Sequence, residues 1–199
     1  ATSDNRQTLL DTVQKTAENC FIPLTVGGGV RKISDIQNLL HAGADKVSIN
    51  TTAVTNRNFV KEAAEKYGTS TIVIAVDAKN NSQKSWEVFT HGGRNATGID
   101  VVDYCNEVAS LGAGEILLTS MDKDGTKSGF DIELLKKITS SVNIPVIASG
   151  GVGTLEHFAE GILQGGVNSV LAASVFHFGQ FKIQDVKRYL ADKNIPVRI

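Results

Sequence analysis

The sequence contains two copies of one segment, and this repeat constrains the fold more than any other feature. Residues 22–30 read IPLTVGGGV, and residues 144–152 read IPVIASGGV. In each copy an amphipathic stretch follows, and a second short strand-like segment then opens with glycine, at residues 43–51 and 166–174. Two strand–helix units cannot bury their apolar faces alone, so both copies must belong to one larger layered structure.

The rest of the chain alternates between the same two kinds of segment. Short β-branched runs predict strands at residues 23–26, 46–50, 71–76, 115–119, 145–148 and 169–172. Most are apolar at consecutive positions, which is typical of strands buried on both faces of a parallel sheet. Amphipathic spacing predicts helices at residues 8–18, 33–40, 58–67, 101–110, 132–139, 155–163 and 183–190. A hairpin at residues 86–90 with a loop at 91–98 interrupts this alternation, which otherwise indicates an α/β fold.

The position of the repeat predicts how many strands the complete fold has. Two predicted strands, at residues 71–76 and 115–119, lie between the first copy and the second, whereas only 21 residues precede the first copy. If the halves are equivalent, about 52 residues and two strands are missing at the N-terminus, and the total is eight. We therefore expect residues 1–199 to form a single domain, a (β/α)8 TIM barrel of two half-barrels with its first two strands absent. The alternative is an open six-stranded sheet with a chance glycine repeat.

Composition excludes several classes of function. The 199 residues carry 20 basic and 21 acidic side chains, so nothing indicates a nucleic-acid-binding surface. The sequence shows neither an apolar run long enough to cross a bilayer nor a signal peptide. Cys20 and Cys105 have no metal-like spacing and are expected to be free thiols in a cytoplasmic protein. The four histidines also lack ligand spacing, and we expect neither a metal nor a cofactor.

Two glycine turns predict phosphate sites. Each follows a strand and precedes a helix, where backbone N–H groups and the helix dipole favour an anion. Polar residues at the end of the next strand would add further donors. One predicted site comprises Gly28, Gly29, Asn50 and Thr51, and the other comprises Gly150, Gly151, Ala173 and Ser174. Two such sites imply a ligand with a phosphate at each end, although both could simply be tight strand–helix turns.

Charged residues at the strand ends are the other candidates. Asp77 ends a predicted strand, where a carboxylate suits general acid/base chemistry or a structural cap. Asp124 and Gly125 lie in a loop that either receives substrate or is simply solvated, and His91 lies in the hairpin loop. At the opposite strand ends, Lys46 and Glu115 form either structural salt bridges or a gated passage.

Several longer motifs resemble one family. These are PLTVGGGV, GADKVSINT, AVDAK, GEILLTSMDKDGTKSG and AASVFHF. Together they resemble the cyclase subunit of imidazole glycerol phosphate synthase, an enzyme of histidine biosynthesis, over essentially the whole chain. The sibling isomerase of the pathway shares the barrel and the double phosphate site. The segment around Lys46 and the SVFHF motif favour the cyclase.

The resemblance implies a lyase in a heterodimer with a glutaminase subunit. Ammonia from that partner would enter through the bottom of the barrel and attack a bis-phosphorylated ribulosyl aminoimidazole carboxamide ribonucleotide. The products would be imidazole glycerol phosphate and aminoimidazole carboxamide ribonucleotide.

The resemblance also implies roles for single residues. Asp77 would be one of two acid/base aspartates, and Lys46 and Glu115 would be gate residues facing the partner. Asp124 and Gly125 would contact substrate, and the two glycine sites would hold its phosphates. The second aspartate precedes Ala1, which leaves open a non-catalytic fragment that binds a phosphosugar or docks a partner.

Overall fold

The structure, a computed structural model, describes residues 3–81 and 85–198, with side chains described from Leu9 onward. Helices lie at Ser3–Ala17 (α1), Ile33–His41 (α2), Thr51–Thr55 (α3), Arg57–Tyr67 (α4), Val101–Ser110 (α5), Ile132–Thr139 (α6), Leu155–Leu163 (α7), Ser174–His177 (α8) and Ile183–Asp192 (α9). Strands lie at Thr25–Gly27 (β1), Lys46–Ile49 (β2), Ile72–Asn80 (β3), Trp86–Thr90 (β4), Asn95–Asp100 (β5), Glu115–Ser120 (β6), Val146–Ser149 (β7) and Ser169–Val170 (β8). None of the helices in this described part of the chain has the length and apolar character needed to cross a membrane.

The strands form one sheet in the order β1-β2-β3-β6-β7-β8. The pairs β1–β2, β2–β3, β6–β7 and β7–β8 are parallel, as strands joined by helices must be. The predicted α/β class is confirmed, and the strand order is consistent with a partial (β/α)8 barrel. Each predicted strand is present, shifted by a few residues at most.

The expectation that the strands are buried on both faces is wrong for the parallel strands β2, β6 and β7. In β6, Ile116 and Leu118 are buried, whereas Leu117 and Thr119, which alternate with them, are half-buried. Helices pack on the sheet, α2 against β2 and α6 against β7, and the alternation shows that one face is better covered than the other. The sequence does not show this alternation because apolar residues such as Leu117 also occupy the less covered face.

The hairpin extends further than its sequence suggests. The strand predicted at residues 71–76 continues to Asn80 because β4 pairs with it in antiparallel fashion, with Asp77 opposite Phe89. β5 in turn pairs with β4, so the predicted loop at 91–98 is already strand from Asn95. Asp77 therefore lies inside a strand and not at its end.

Two short helices were not predicted from the sequence. Each begins at a residue of one of the two predicted phosphate sites. α3 begins at Thr51, directly after Asn50, and α8 begins at Ser174, directly after Ala173. With five and four residues, both helices are too short to show a helical period in the sequence.

The chain divides into two compact units. The first takes the residues up to Ala75 and Glu107–Glu115, and the second takes Val76–Asn106 and the residues from Ile116 onward. The first copy of the repeat belongs to the first unit, and the second copy belongs to the second unit.

Candidate functional site

In the first unit, the first glycine turn lies at the carboxyl ends of β1 and β2. The two strands are in register, with Gly27 opposite Ser48. Gly28 and Gly29 follow with positive φ angles of 101° and 69°. The Thr52 hydroxyl donates a hydrogen bond to the Val30 carbonyl, which joins the start of α3 to this turn. The structure thus brings Gly28 and Gly29 together with the segment that carries Asn50 and Thr51.

In the second unit, the second glycine turn is packed against the loop between β6 and α6 (residues 121–131, the β6–α6 loop). A Cβ added to Gly150 would lie 2.8 Å from the Ser120 carbonyl oxygen, and one added to Gly151 would lie 2.1 Å from that of Gly129. The Gly129 N–H donates to the Gly151 carbonyl at 2.8 Å. Only glycine fits at these two positions, where the backbone must approach another backbone closely.

The same packing brings the loop candidates to the second turn. The Asp124 backbone nitrogen lies 3.3 Å from the position of a Cβ on Gly150, and Gly125 follows it with a φ of 74°. At the neighbouring strand end, the Leu171 N–H donates to the Ala148 carbonyl at 2.8 Å, and Ala173 and Ser174 follow. Asp124 and Gly125 therefore share one edge of the second unit with the residues of the second predicted phosphate site.

The part of β3 that carries Asp77 contacts this loop as well. The Met121 N–H donates to the Ala78 carbonyl at 2.8 Å, and the Asn80 N–H donates to Asp122 Oδ2 at 2.7 Å. Asp77 itself is half-buried. A partly desolvated carboxylate beside the loop that packs on the second glycine turn is in a suitable position for proton transfer.

At the amino ends of β2 and β6, Lys46 and Glu115 form an ion pair. They are the first residues of β2 and β6, in the first unit, and their side chains are 25% and 20% exposed. Removing most of the water from two charges is costly unless they pair, so each of these charges requires the other. The pair fits either of the two interpretations left open above, a structural salt bridge or a gate.

The helix that follows each glycine turn begins with a matching pair of hydrogen bonds. Asp35 Oδ2 accepts from the N–H groups of Arg31 and Lys32 at 2.9 and 3.1 Å. At the equivalent position of the second copy, His157 Nδ1 accepts from Gly153 and Thr154 at 3.0 and 3.3 Å. These N–H groups are already occupied, so an anion at either turn would use other N–H groups of that turn.

The sequence did not identify two acidic residues near the site, Asp35 and Asp131. It did not single out Asp35 as the counterpart of His157, although the offset of the repeat pairs them directly. It also missed the carboxylate of Asp131, which accepts hydrogen bonds from Ser120 and Trp86. The only local signal for Asp131 was its place before the amphipathic run of α6, which is a common helix-capping pattern.

The remaining histidines and possible metal ligands add little to the site. His91 is exposed in the turn between β4 and β5, with Nδ1 3.0 Å from the Thr90 hydroxyl. Within residues 3–81 and 85–198, no group of three or more His, Cys, Asp or Glu side chains is arranged to hold a metal ion.

The sequence also matches a model of a known protein family. The model described as histidine biosynthesis protein matches residues 1–182, which is most of the chain. The protein therefore belongs to the histidine biosynthesis protein family.

Proposed function

We propose that the protein is the ammonia-using cyclase of imidazole glycerol phosphate synthesis, working with a glutaminase subunit in the cytoplasm. It converts the bis-phosphorylated ribulosyl aminoimidazole carboxamide ribonucleotide into imidazole glycerol phosphate and aminoimidazole carboxamide ribonucleotide. The family assignment supports an enzyme of histidine biosynthesis, and the further choice of the cyclase over the isomerase is our inference.

The observation that carries the choice is the ion pair between Lys46 and Glu115. An isomerase converts one bound molecule and needs no second reactant, whereas a cyclase needs ammonia delivered to the bound substrate. A charged pair at the amino ends of β2 and β6, away from the glycine turn at the carboxyl end of β2, suits such an entrance. In this proposal Lys46 and Glu115 lie on the face that binds the glutaminase. Their ion pair closes the entrance, and the two side chains separate to admit ammonia.

Asp77 supplies the acid/base chemistry in this proposal. Ammonia attacks the ketose carbonyl, a step in which the carbonyl oxygen gains a proton and the nitrogen loses one. A half-buried carboxylate beside the β6–α6 loop can accept and return such a proton close to bound substrate. Asp124 and Gly125 contact the substrate from this loop.

The two glycine turns bind the phosphates in this proposal. Each turn combines positive-φ glycines with the start of a helix, the arrangement that presents backbone N–H groups to an anion. Gly28, Gly29, Asn50 and Thr51 take one phosphate. Gly150, Gly151, Ala173 and Ser174 take the other.

Turnover of the ribulosyl substrate with ammonium salts tests the proposal on the natural protein. We expect Asp77→Asn to lower kcat by about 10²–10⁴-fold while the dissociation constant of the substrate stays within about twofold. Asp103→Asn, at an exposed position on α5, is the control and retains wild-type turnover. Glutamine should replace ammonium salts only when the glutaminase is added.

Three results would contradict parts of this proposal. Conversion of the ribulosyl substrate into an isomer of the same mass, without any nitrogen source, would identify the isomerase. Substrate binding without product at any ammonia concentration would indicate a phosphosugar-binding or partner-docking protein. Undiminished turnover by Asp77→Asn would remove Asp77 from the mechanism.

A further inference from the structure

We propose that Asp131 is a positioning residue that fixes the β6–α6 loop at both ends and thereby places Asp124 and Gly125 for the reaction. This inference rests on the proposed function, because it assigns those two residues to the substrate. It adds a residue that neither the sequence motifs nor the family match singled out.

The Asp131 carboxylate accepts hydrogen bonds from three separate elements. Oδ1 accepts from the Leu134 N–H at 3.1 Å and so caps the start of α6. Oδ2 accepts from the Ser120 hydroxyl at 3.2 Å, at the end of β6, and from the Trp86 indole N–H at 3.1 Å, at the start of β4. Ser120 and Trp86 are only 2% and 5% exposed, so their donors depend on a partner inside the protein.

These bonds close the loop on itself. Ser120 is the residue before the loop, and Asp131 is the residue at which α6 is capped. The Ser120 carbonyl also accepts from the N–H of Asp124 at 2.9 Å and so sets the first turn of the loop. A loop whose two ends are held by one carboxylate has far fewer conformations than a free loop.

Trp86 extends the effect of Asp131 to the strand that carries Asp77. β4 begins at Trp86, which pairs with Asn80 of β3, and the same two strands place Phe89 opposite Asp77. The Lys137 ammonium lies 5.6 Å from the centre of the Trp86 ring and packs over it. One carboxylate therefore joins the loop to the hairpin beside the proposed acid/base group.

A purely structural role, as a helix cap, is the competing explanation, and the chain provides a matched control. Asp100 precedes α5 in the same unit, is half-buried like Asp131, and accepts at Oδ1 from the N–H groups of Val102 and Asp103 at 2.8 and 3.2 Å. Asparagine caps helices about as well as aspartate. Asp131→Asn and Asp100→Asn therefore both retain a cap, but only the first removes a carboxylate that holds Ser120 and Trp86.

The test compares Asp131→Asn, Ser120→Ala and Asp100→Asn in the natural protein. We expect kcat/KM to fall on the order of tenfold or more in the first two, mainly through KM, and to stay within about twofold in the control. We also expect the amides of Lys123, Asp124 and Gly129 to exchange with solvent at least about tenfold faster in the first two variants alone. The Trp86 indole N–H resonance, assigned with Trp86→Phe, should shift in Asp131→Asn.

Wild-type amide exchange in the β6–α6 loop of both Asp131→Asn and Ser120→Ala would overturn the proposal. Equal losses of kcat/KM in Asp131→Asn and Asp100→Asn would overturn it as well, because they would indicate a general loss of stability. Amide exchange requires no substrate. If the wild-type protein lacked cyclase turnover, the proposed function would fail while the exchange result still decided whether Asp131 holds the loop.

Discussion

At the scale of single residues, burial determines the chemistry of the Cys105 thiol. Both cysteines are free, as the sequence predicted. Cys105 lies on α5 with none of its surface exposed, and burial, followed by the nearby Asp100 charge, raises the pKa of its thiol from 9.0 to about 12. Cys20 is half-buried near the end of α1. Cys105 therefore stays protonated and unreactive at physiological pH, because the thiolate is the nucleophile.

The raised pKa of Cys105 predicts a loss of stability at alkaline pH. The unfolded chain releases this proton at lower pH than the folded chain, so stability falls as pH rises from the unfolded pKa towards the folded value of about 12. Raising the pH from 8 to 10.5 should lower the unfolding free energy of the wild type by about 2 kcal/mol more than that of Cys105→Ala. Urea denaturation at both pH values measures this, with Cys20→Ala as the control. Parallel losses in wild type and Cys105→Ala would contradict it.

At the scale of elements, the two glycine turns are alike in sequence and different in surroundings. Gly29 and Gly151 are equivalent in the repeat, and both have positive φ angles, of 69° and 103°. The space beside Gly29 is open to 4 Å, whereas a Cβ on Gly151 would meet the Gly129 carbonyl oxygen at 2.1 Å. The positive φ angle thus explains why glycine occupies both positions, whereas close packing is a further reason only at Gly151.

This difference predicts unequal effects of alanine at the two positions. Gly29→Ala should lower the unfolding free energy by about 1–2 kcal/mol, the cost of a left-handed conformation for a residue with a side chain. Gly151→Ala carries the same cost and also forces the β6–α6 loop away, so we expect a total above about 3 kcal/mol. Chemical denaturation of both variants measures the difference. Equal losses of unfolding free energy would show that the β6–α6 loop can move away from the added Cβ without lowering stability.

At the scale of the whole molecule, the two compact units share elements of secondary structure. The boundary falls inside β3, between Ala75 and Val76, and inside α5, between Asn106 and Glu107. It also separates Glu115 from the rest of β6. Neither unit can unfold completely without breaking elements of the other.

We therefore expect a single cooperative unfolding transition. The fluorescence of Trp86, in the second unit, and the reactivity of Cys20, in the first unit, should change at the same urea concentration as the far-ultraviolet circular dichroism. Coincident midpoints for the three signals are the expected result. A separate midpoint for Cys20 would show that the first unit unfolds independently.

The sequence alone determined the class of fold and the regular elements. α5, α6 and α7 begin and end where the spacing of apolar residues predicted, and the repeat located both glycine turns. The sequence could specify these features because helical periodicity and the conformational freedom of glycine act between residues close in the chain.

Tertiary structure decided which side chains meet. Glu115 pairs with Lys46 across 69 positions of sequence, and Asp131 accepts from Trp86 across 45. Pairing with β4 also extended β3 beyond Asp77, which local propensity did not indicate. Contacts of this kind depend on strand order and register, because a side chain reaches its distant partner only after the backbone has brought their two elements together.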